Sequence, residues 1–305
     1  MKIYTLTLSP AYDVHAGAET FAAFHENLAT VTSREAGGKG VNISRALAAG
    51  GGQSTAVVVL GKENSGEFQK ALDDAGLDSL VFLKEGRIRE NLTLHCPGVP
   101  ETRISFTGFS VDSEILNQVR DAMQIAPGTV VTFTGRVPTG VDMPQVKAFL
   151  KELQNAGALI VLDSRSFGLN DILEVRPWLI KPNQEEISML CGCEIETMEQ
   201  ALEKAQIFAR AGIENVMVSL GGDGAVLICD GKIFRAIPPQ ITPVSTIGAG
   251  DSAIAGFIAA AQQGKAPREC LKWASAYGTA ACLTEGSQPP RHADIQSILE
   301  KVQIL

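Results

Sequence analysis

The sequence predicts a doubly wound α/β domain with a mostly parallel sheet. Residues 55–60 (TAVVVL) form a near-continuous apolar run, the pattern of a strand covered on both faces by helices. From residue 112 onward, strand-like and helix-like patterns alternate to the last helix. Polar and glycine-rich clusters fall mostly where strands stop, and open α/β sheets hold ligands outside those carboxyl ends. No internal repeat or low-complexity linker divides the 305 residues, so one domain over 1–305 is expected.

The totals agree with a globular chain, at 45% hydrophobic and 20% charged residues. A net charge of −8 argues against a general nucleic-acid or membrane-surface binder, so positive contacts to an anionic ligand must be local. The first ten residues are strand-like, with one Lys and no small-residue cleavage site, so no signal peptide is expected. No apolar run approaches the roughly 18 residues of a membrane span. Six cysteines are scattered, and Cys191-Gly192-Cys193 lacks zinc-type C-x-x-C spacing. Reduced thiols and a cytoplasmic location are the expectation.

The elements follow in order. Residues 3–8 read as a strand ended by Ser9-Pro10, with Asp13 directly after it. Residues 14–32 show no clear stripe. Ala36-Gly37-Gly38-Lys39-Gly40-Val41-Asn42 then leads into a helix over 43–49. After strand 55–60 comes a helix over 64–75, with Phe68, Ala71, Leu72 and Ala75 on one face, and a strand at 80–83. Two β-rich runs within 88–109 flank a hairpin turn at 97–101, and Arg87, Arg89 and Arg103 lie in or beside them. Together with 14–32 they suggest a small β layer outside the main domain. Next come helix 112–125, strand 129–134, helix 144–155, strand 158–162 ending in Asp163-Ser164, and the short strand 178–181. Thr197 and Gln200 have capping-box spacing and open a helix. Strand 215–220 precedes Gly221-Gly222-Asp223-Gly224, and Asp230-Gly231 reads as a two-residue hairpin turn. Helices over 251–263, 267–283 and 294–302 complete the chain.

Two glycine-rich helix starts stand out. Gly37 to Asn42 is not a Walker A loop, because G-x-x-x-x-G-K-[ST] occurs nowhere, and its glycines could serve only a tight turn. Gly248-Ala249-Gly250-Asp251 places unpaired N–H groups and a positive dipole end in one spot, which suits an anion. Asp251 is either a helix cap or a base that takes a proton from a hydroxyl while the N–H groups hold a phosphoryl group. The N-terminal half also offers Asp13 and Asn42, suited to vicinal hydroxyls, and Lys39, suited to a phosphate. The C-terminal half offers Asn183, Glu186, Ser219, Gly221 and Gly224, which suggests a nucleotide site. Asn183 and Glu186 form either a capping box or a group that organises hydrated Mg²⁺.

SPAYD, AGGKGVN, KPNQEE, SLGGDG and STIGAGDS, in this order, resemble the PfkB (ribokinase-like) carbohydrate kinases over essentially the whole chain. PAYD, the R-x-R-x-N of Arg87, Arg89 and Asn91, and the SxxGAGDS form lean toward 1-phosphofructokinases, with tagatose-6-phosphate kinases close by. The resemblance implies a three-layer α/β/α domain with a β lid of about 14–33 and 88–109. It implies ATP and Mg²⁺ as donor and cofactor, and fructose 1-phosphate as acceptor, with tagatose 6-phosphate or fructose 6-phosphate as alternatives. Asp251 would be the base, and Gly248, Ala249 and Gly250 the anion hole. Asp13, Gly37, Gly38, Lys39, Asn42, Arg89 and Arg136 would bind the sugar phosphate. Asn183, Ser219, Gly221, Gly222, Gly224, Gly248 and Gly250 would line the nucleotide site, with Glu186 reaching Mg²⁺ through water. Two positions depart from the family pattern: Ser9 replaces an Asn, and Thr134-Gly135-Arg136-Val137-Pro138 replaces SGSLP. Arg136 adds bulk and charge at the sugar end. A homodimer through the exposed lid edge is expected, since an uncovered edge invites pairing. A non-catalytic sugar-phosphate sensor is disfavoured by Asp251 itself, because a pure binder gains nothing from a carboxylate facing phosphate.

Overall fold

The computed structural model describes residues 2–305. Its first half runs β1 (Ile3–Thr7), β2 (Ala11–Gly17), β3 (Thr30–Gly37), α1 (Lys39–Ala49), β4 (Thr55–Gly61), α2 (Ser65–Asp74), β5 (Asp78–Lys84), β6 (Arg89–Cys96), β7 (Val99–Ser105), α3 (Glu114–Ala122), β8 (Val130–Thr134) and α4 (Met143–Asn155). The second half runs β9 (Leu159–Asp163), α5 (Leu169–Val175), β10 (Leu179–Ile180), α6 (Gln184–Cys191), α7 (Met198–Arg210), β11 (Asn215–Ser219), β12 (Ala225–Cys229), β13 (Lys232–Ile237), α8 (Ala249–Gln262), α9 (Pro267–Ala281), α10 (His292–Lys301) and β14 (Gln303–Ile304).

Ten strands form one sheet in the order β14-β13-β12-β11-β10-β9-β8-β1-β4-β5. The pairs from β11 through β5 are parallel, and β11 to β14 pair antiparallel. Alternate residues of each central strand face opposite helical layers. On β1, Tyr4 and Leu6 join a core with α3 to α7, while Ile3 joins one with α1 and α8 to α10. This is the doubly wound arrangement that the apolar runs predict, and the ribokinase-like fold that the resemblance implies. Complete burial of Leu6, Val131 or Ile254 is each worth about 1.5–3 kcal/mol.

A second sheet of four strands, β3-β2-β6-β7, stands apart. A third core containing Tyr12, Val14, Val41, Leu60, Phe68 and Ile88 joins it to β4 and α2. The chain leaves the large sheet at Ser9-Pro10 and enters β2 at once, which puts Asp13 in a strand. Residues 14–32, read as part of a small β layer, enter it at both ends through β2 and β3, while residues 18–29 lie outside any strand. The turn expected over 97–101 tightens to Pro97-Gly98, with Gly98 at φ 72°. Asp230 (φ 51°) and Gly231 (φ 71°) both adopt the left-handed backbone that a two-residue hairpin turn requires. All six cysteines are free thiols, and among the described residues no helix is long and apolar enough to cross a membrane.

Candidate active site

Five elements converge at the carboxyl ends of β1, β9 and β10 and the amino ends of α1 and α8. Gly38 (φ 144°) is the N-cap of α1, so Lys39 is its first residue and Asn42 its fourth. The helix thus begins four residues earlier than its apolar pattern suggests. Thr7 Oγ1, at the end of β1, accepts the Val41 N–H at 3.1 Å and satisfies one amide of that first turn. A Cβ on Gly38 would lie 2.4 Å from Thr7 Cγ2, and one on Gly40 2.4 Å from the Leu6 carbonyl, so glycine lets α1 sit against β1.

Gly248 (φ 76°) starts α8 without a side-chain cap, which places Asp251 as the third helical residue. Asp251 is therefore not the N-cap, and that reading is corrected. Its carboxylate is buried, and Oδ2 accepts from Asn42 Nδ2 at 2.9 Å. Residues from the two glycine-rich starts, 209 positions apart, meet in this bond. Lys39 Nζ donates to Asp163 Oδ2 at 3.0 Å. Lys181, buried just past β10, carries its ammonium 3.0 Å from where a Gly250 Cβ would stand.

These charges separate the two acids. Burial alone would push Asp163 up, but Lys181 and Lys39 outweigh it and hold the group below the usual carboxylate range. Asp251 is pushed up to about 6, by burial first and by the neighbouring Asp163 charge, against Lys39, Asn42 and Lys181. Lys39 is raised: burial opposes its charge, but Asp163 and Asp251 more than compensate.

On the side of the small sheet, Asp13 Oδ1 accepts from Asn91 Nδ2 at 2.9 Å, and burial raises its pKa. A Cβ on Gly37 would fall 2.1 Å from Asp13 Oδ2. Arg89 Nη2 donates to the Ser9 carbonyl at 3.4 Å, and burial, then the nearby Arg136 charge, lowers its pKa. Arg136 itself is exposed, one residue after Gly135, whose N–H bonds the Asp163 carbonyl at 3.1 Å. Five buried side-chain polar atoms lack a partner among the described residues, and three of them, Asn42 Oδ1, Arg89 Nε and Asn91 Oδ1, belong to this side. Unmet hydrogen-bonding groups gathered at one place suit a polar ligand.

The remaining expected residues lie along β10 and β11. Asn183 and Glu186 form the full capping box of α6, and Arg165 Nε also donates to Glu186 at 3.1 Å. Asn183 bridges to Ser219 at the end of β11. Gly221 and Gly222 face open space, whereas a Cβ on Gly224 would lie 2.0 Å from the Ala236 carbonyl, so Gly224 serves the hairpin backbone. Sequence reasoning left Thr7, Asn91, Asp163 and Lys181 out of the site. Asp163 and Lys181 did leave a signal: each is a charge at the end of a buried strand.

Known proteins agree with this geometry. The family described as pfkB family carbohydrate kinase matches residues 12–294. The chain is 30% identical to the 1-phosphofructokinase of Haemophilus influenzae, over 99% of this chain and 98% of that one. It is 28% identical to the ATP-dependent 6-phosphofructokinase isozyme 2 of Escherichia coli, over 98% of each. The crystal structure of phosphofructokinase-2 from Escherichia coli in complex with substrates and products superposes with a TM-score of 0.91, at 27% identity over 99% of both chains. The chain belongs to the pfkB family of carbohydrate kinases, a phosphotransferase that acts on a sugar hydroxyl.

Proposed function

We propose that the chain transfers the γ-phosphoryl group of ATP to a hydroxyl of a sugar phosphate, with fructose 1-phosphate as acceptor and fructose 1,6-bisphosphate as product. The observation that carries the reading is Asp251, buried, pushed up to about 6, and set one residue beyond the Gly248–Gly250 turn at a helix start. A base with that pKa is mostly ionised at pH 7 yet close enough to it to hold a proton in transit. Asn42 engages Oδ2 and leaves Oδ1 to take the proton of the attacking hydroxyl. The Gly248, Ala249 and Gly250 amides face the charge on the transferring phosphoryl group, while Lys39 and Lys181 neutralise it from the side. Asp13, Asn91, Gly37 and Gly38 bind sugar hydroxyls, and Arg89 with Arg136 takes the acceptor's phosphate.

The nucleotide lies along Asn183, Ser219, Gly221, Gly222 and Gly224. Among the described residues no three His, Cys, Asp or Glu side chains cluster as a metal cage. Each Glu186 oxygen already accepts one N–H and keeps a lone pair, which fits an outer-sphere contact to a hydrated Mg²⁺ riding on the phosphates. The bound ion would supply charge neutralisation there. The small sheet acts as the lid that excludes water, and a homodimer forms across it. Phe24, Leu28, Val31, Ile104 and Phe106, all exposed on or beside its strands, support that pairing.

The similarity to phosphofructokinase-2 favours a second acceptor, fructose 6-phosphate, and tagatose 6-phosphate shares its chemistry. A panel of sugar phosphates with ATP and Mg²⁺, read by ADP release and product phosphate content, decides among them. Highest kcat/KM on fructose 1-phosphate is expected. Preference for a 6-phosphate would move the assignment to the second reading, and tight binding without turnover on any acceptor would make the chain a sensor.

A further inference from the structure

We propose that Glu35 is a positioning residue, which locks the small sheet to the loop behind the α8 start so that acceptor and anion-holding turn keep one geometry. The inference rests on the kinase reading above and adds a residue to it. Glu35 lies on β3 directly opposite Asp13 on β2. Both its carboxylate oxygens are engaged from the other end of the chain: Oε2 accepts from Ser287 Oγ at 3.0 Å and Oε1 from Gln288 Nε2 at 2.8 Å. Among the described residues, these are the side-chain hydrogen bonds that tie the small sheet to the C-terminal half. Its other ties run to the N-terminal half, such as Tyr12 Oη to the Asn64 carbonyl at 2.6 Å.

The path continues from Ser287 to the anion-holding turn. The carbonyl of Gly286, next in the chain, accepts from Ser245 Oγ at 3.2 Å, and that same Oγ accepts the Ile247 N–H at 3.2 Å. Ser287 also backs Gly248 directly, its Cα lying 3.9 Å from where a Gly248 Cβ would stand. Beside this path an open pocket of about 760 Å³, walled by His15, Glu35, Arg103, Ser245, Thr246 and Gly286, separates this edge of the sheet from the body. Glu35 therefore bridges a gap that packing leaves open. Two acceptor bonds on one charged group fix both distance and orientation. Loss of Glu35 leaves the sheet anchored by its core and hydrogen bonds to the N-terminal half and lets its Asp13 edge shift against Gly248, and misplacement at that scale slows transfer more than it weakens binding.

The test compares Glu35→Ala and Glu35→Gln with the unmodified protein. For Glu35→Ala we expect kcat to fall about 10-fold, with KM for ATP within about 2-fold. ADP formed per sugar phosphorylated should rise above one, because a loosened lid admits water. Glu35→Gln keeps an acceptor oxygen and should recover most of the loss. A purely structural role would lower the active fraction and leave the ADP-to-product ratio at one. Hydrogen exchange gives a readout independent of turnover: the Ile247 and Gly248 amides should exchange faster in Glu35→Ala. Should Glu35→Ala fail to fold, Ser287→Ala must move the same quantities in the same direction. Unchanged exchange at 247–248, or an unchanged ratio with unchanged kcat, overturns the inference while leaving the kinase reading intact. An unmodified protein that turns over no acceptor refutes the kinase reading instead, and the exchange measurement still decides the bridge.

Discussion

Helices α1 and α8 both start from a glycine with positive φ, Gly38 at 144° and Gly248 at 76°, which has no side chain to cap the helix. Their surroundings differ. The α1 start is crowded, since Cβ atoms on Gly38 and Gly40 would strike β1 at 2.4 Å. The α8 start is open: the nearest atom to a Gly248 Cβ would be Ser287 Cα at 3.9 Å, and a Gly250 Cβ would meet only the tip of Lys181. The charges are opposite too. The first turn of α1 holds no acid and carries Lys39, whereas the first turn of α8 carries Asp251. The same backbone device thus serves close packing in one helix and leaves the start of the other open to a ligand. The cation of the first pairs with Asp163, and the acid of the second is left to titrate.

The most severe break in this comparison is at Asp251. Asp251→Asn keeps the Asn42 contact through its Oδ1 and removes the proton acceptor, so kcat should fall by about 10²-fold or more with KM for ATP nearly unchanged. Turnover close to the unmodified protein would remove Asp251 from the role of base. The glycines come next. Gly38→Ala meets both a forbidden φ and Thr7 Cγ2, and should lower stability by roughly 2 kcal/mol or more in thermal melts. Gly250→Ala needs only the flexible Lys181 tip to move, so the melting temperature should hold while kcat drops about 10-fold. Equal melting temperatures for the two variants would contradict the division into a packed start and an open one.

A pH series sharpens the charge contrast. The acid limb of kcat should have an apparent pKa near the value of about 6 that burial, first, and Asp163 impose on Asp251. The stability consequence has a definite sign. The folded pKa lies above the ordinary value of 3.8, so the folded state holds this proton more tightly. The stability tied to it is complete below pH 3.8 and is lost as pH rises through about 6. Asp251→Asn should therefore melt at a higher temperature than the unmodified protein at pH 8, by an amount that shrinks toward zero as pH falls below 3.8. At about two pKa units the difference is roughly 3 kcal/mol. A pH-independent gap between the two proteins would show that ionisation of Asp251 costs nothing.

Much of this was legible in the chain. Apolar runs such as 55–60 and their alternation with helices are enough for the doubly wound sheet, because strands buried on both faces leave a strong pattern. β3 was not, since residues 30–35 are exposed or half-exposed and carry no apolar alternation. Helix α5, with seven residues, is too short to show a period. In the site, the strand-end rule found Asp13, Lys39, Asn42 and Asp251. It passed over Lys181, the last residue of the short strand 178–181, which proves 4% exposed. The Glu35–Ser287 bond joins positions 252 apart, and nothing local marks either partner.

The smallest expected effect concerns Arg136, where the two sides of the site are compared through substrate choice. Arg136 is exposed beside Arg89, whose Nε is buried without a partner among the described residues, so the two guanidinium groups offer an anion more charge than one Arg could. Removing the exposed member leaves the buried one, whose bond to the Ser9 carbonyl keeps its place. Arg136→Ser should therefore raise KM for the preferred sugar phosphate by about 10-fold, the scale of one partly exposed charged hydrogen bond. KM for ATP should stay within about 2-fold, because the change touches only the acceptor side. The ratio of kcat/KM between a 1-phosphate and a 6-phosphate should shift as well, since the two place their phosphate differently against the sugar ring. A panel in which every acceptor loses the same factor would make Arg136 a general field charge. A panel in which none changes would place it outside the acceptor pocket and leave Arg89 as the phosphate contact.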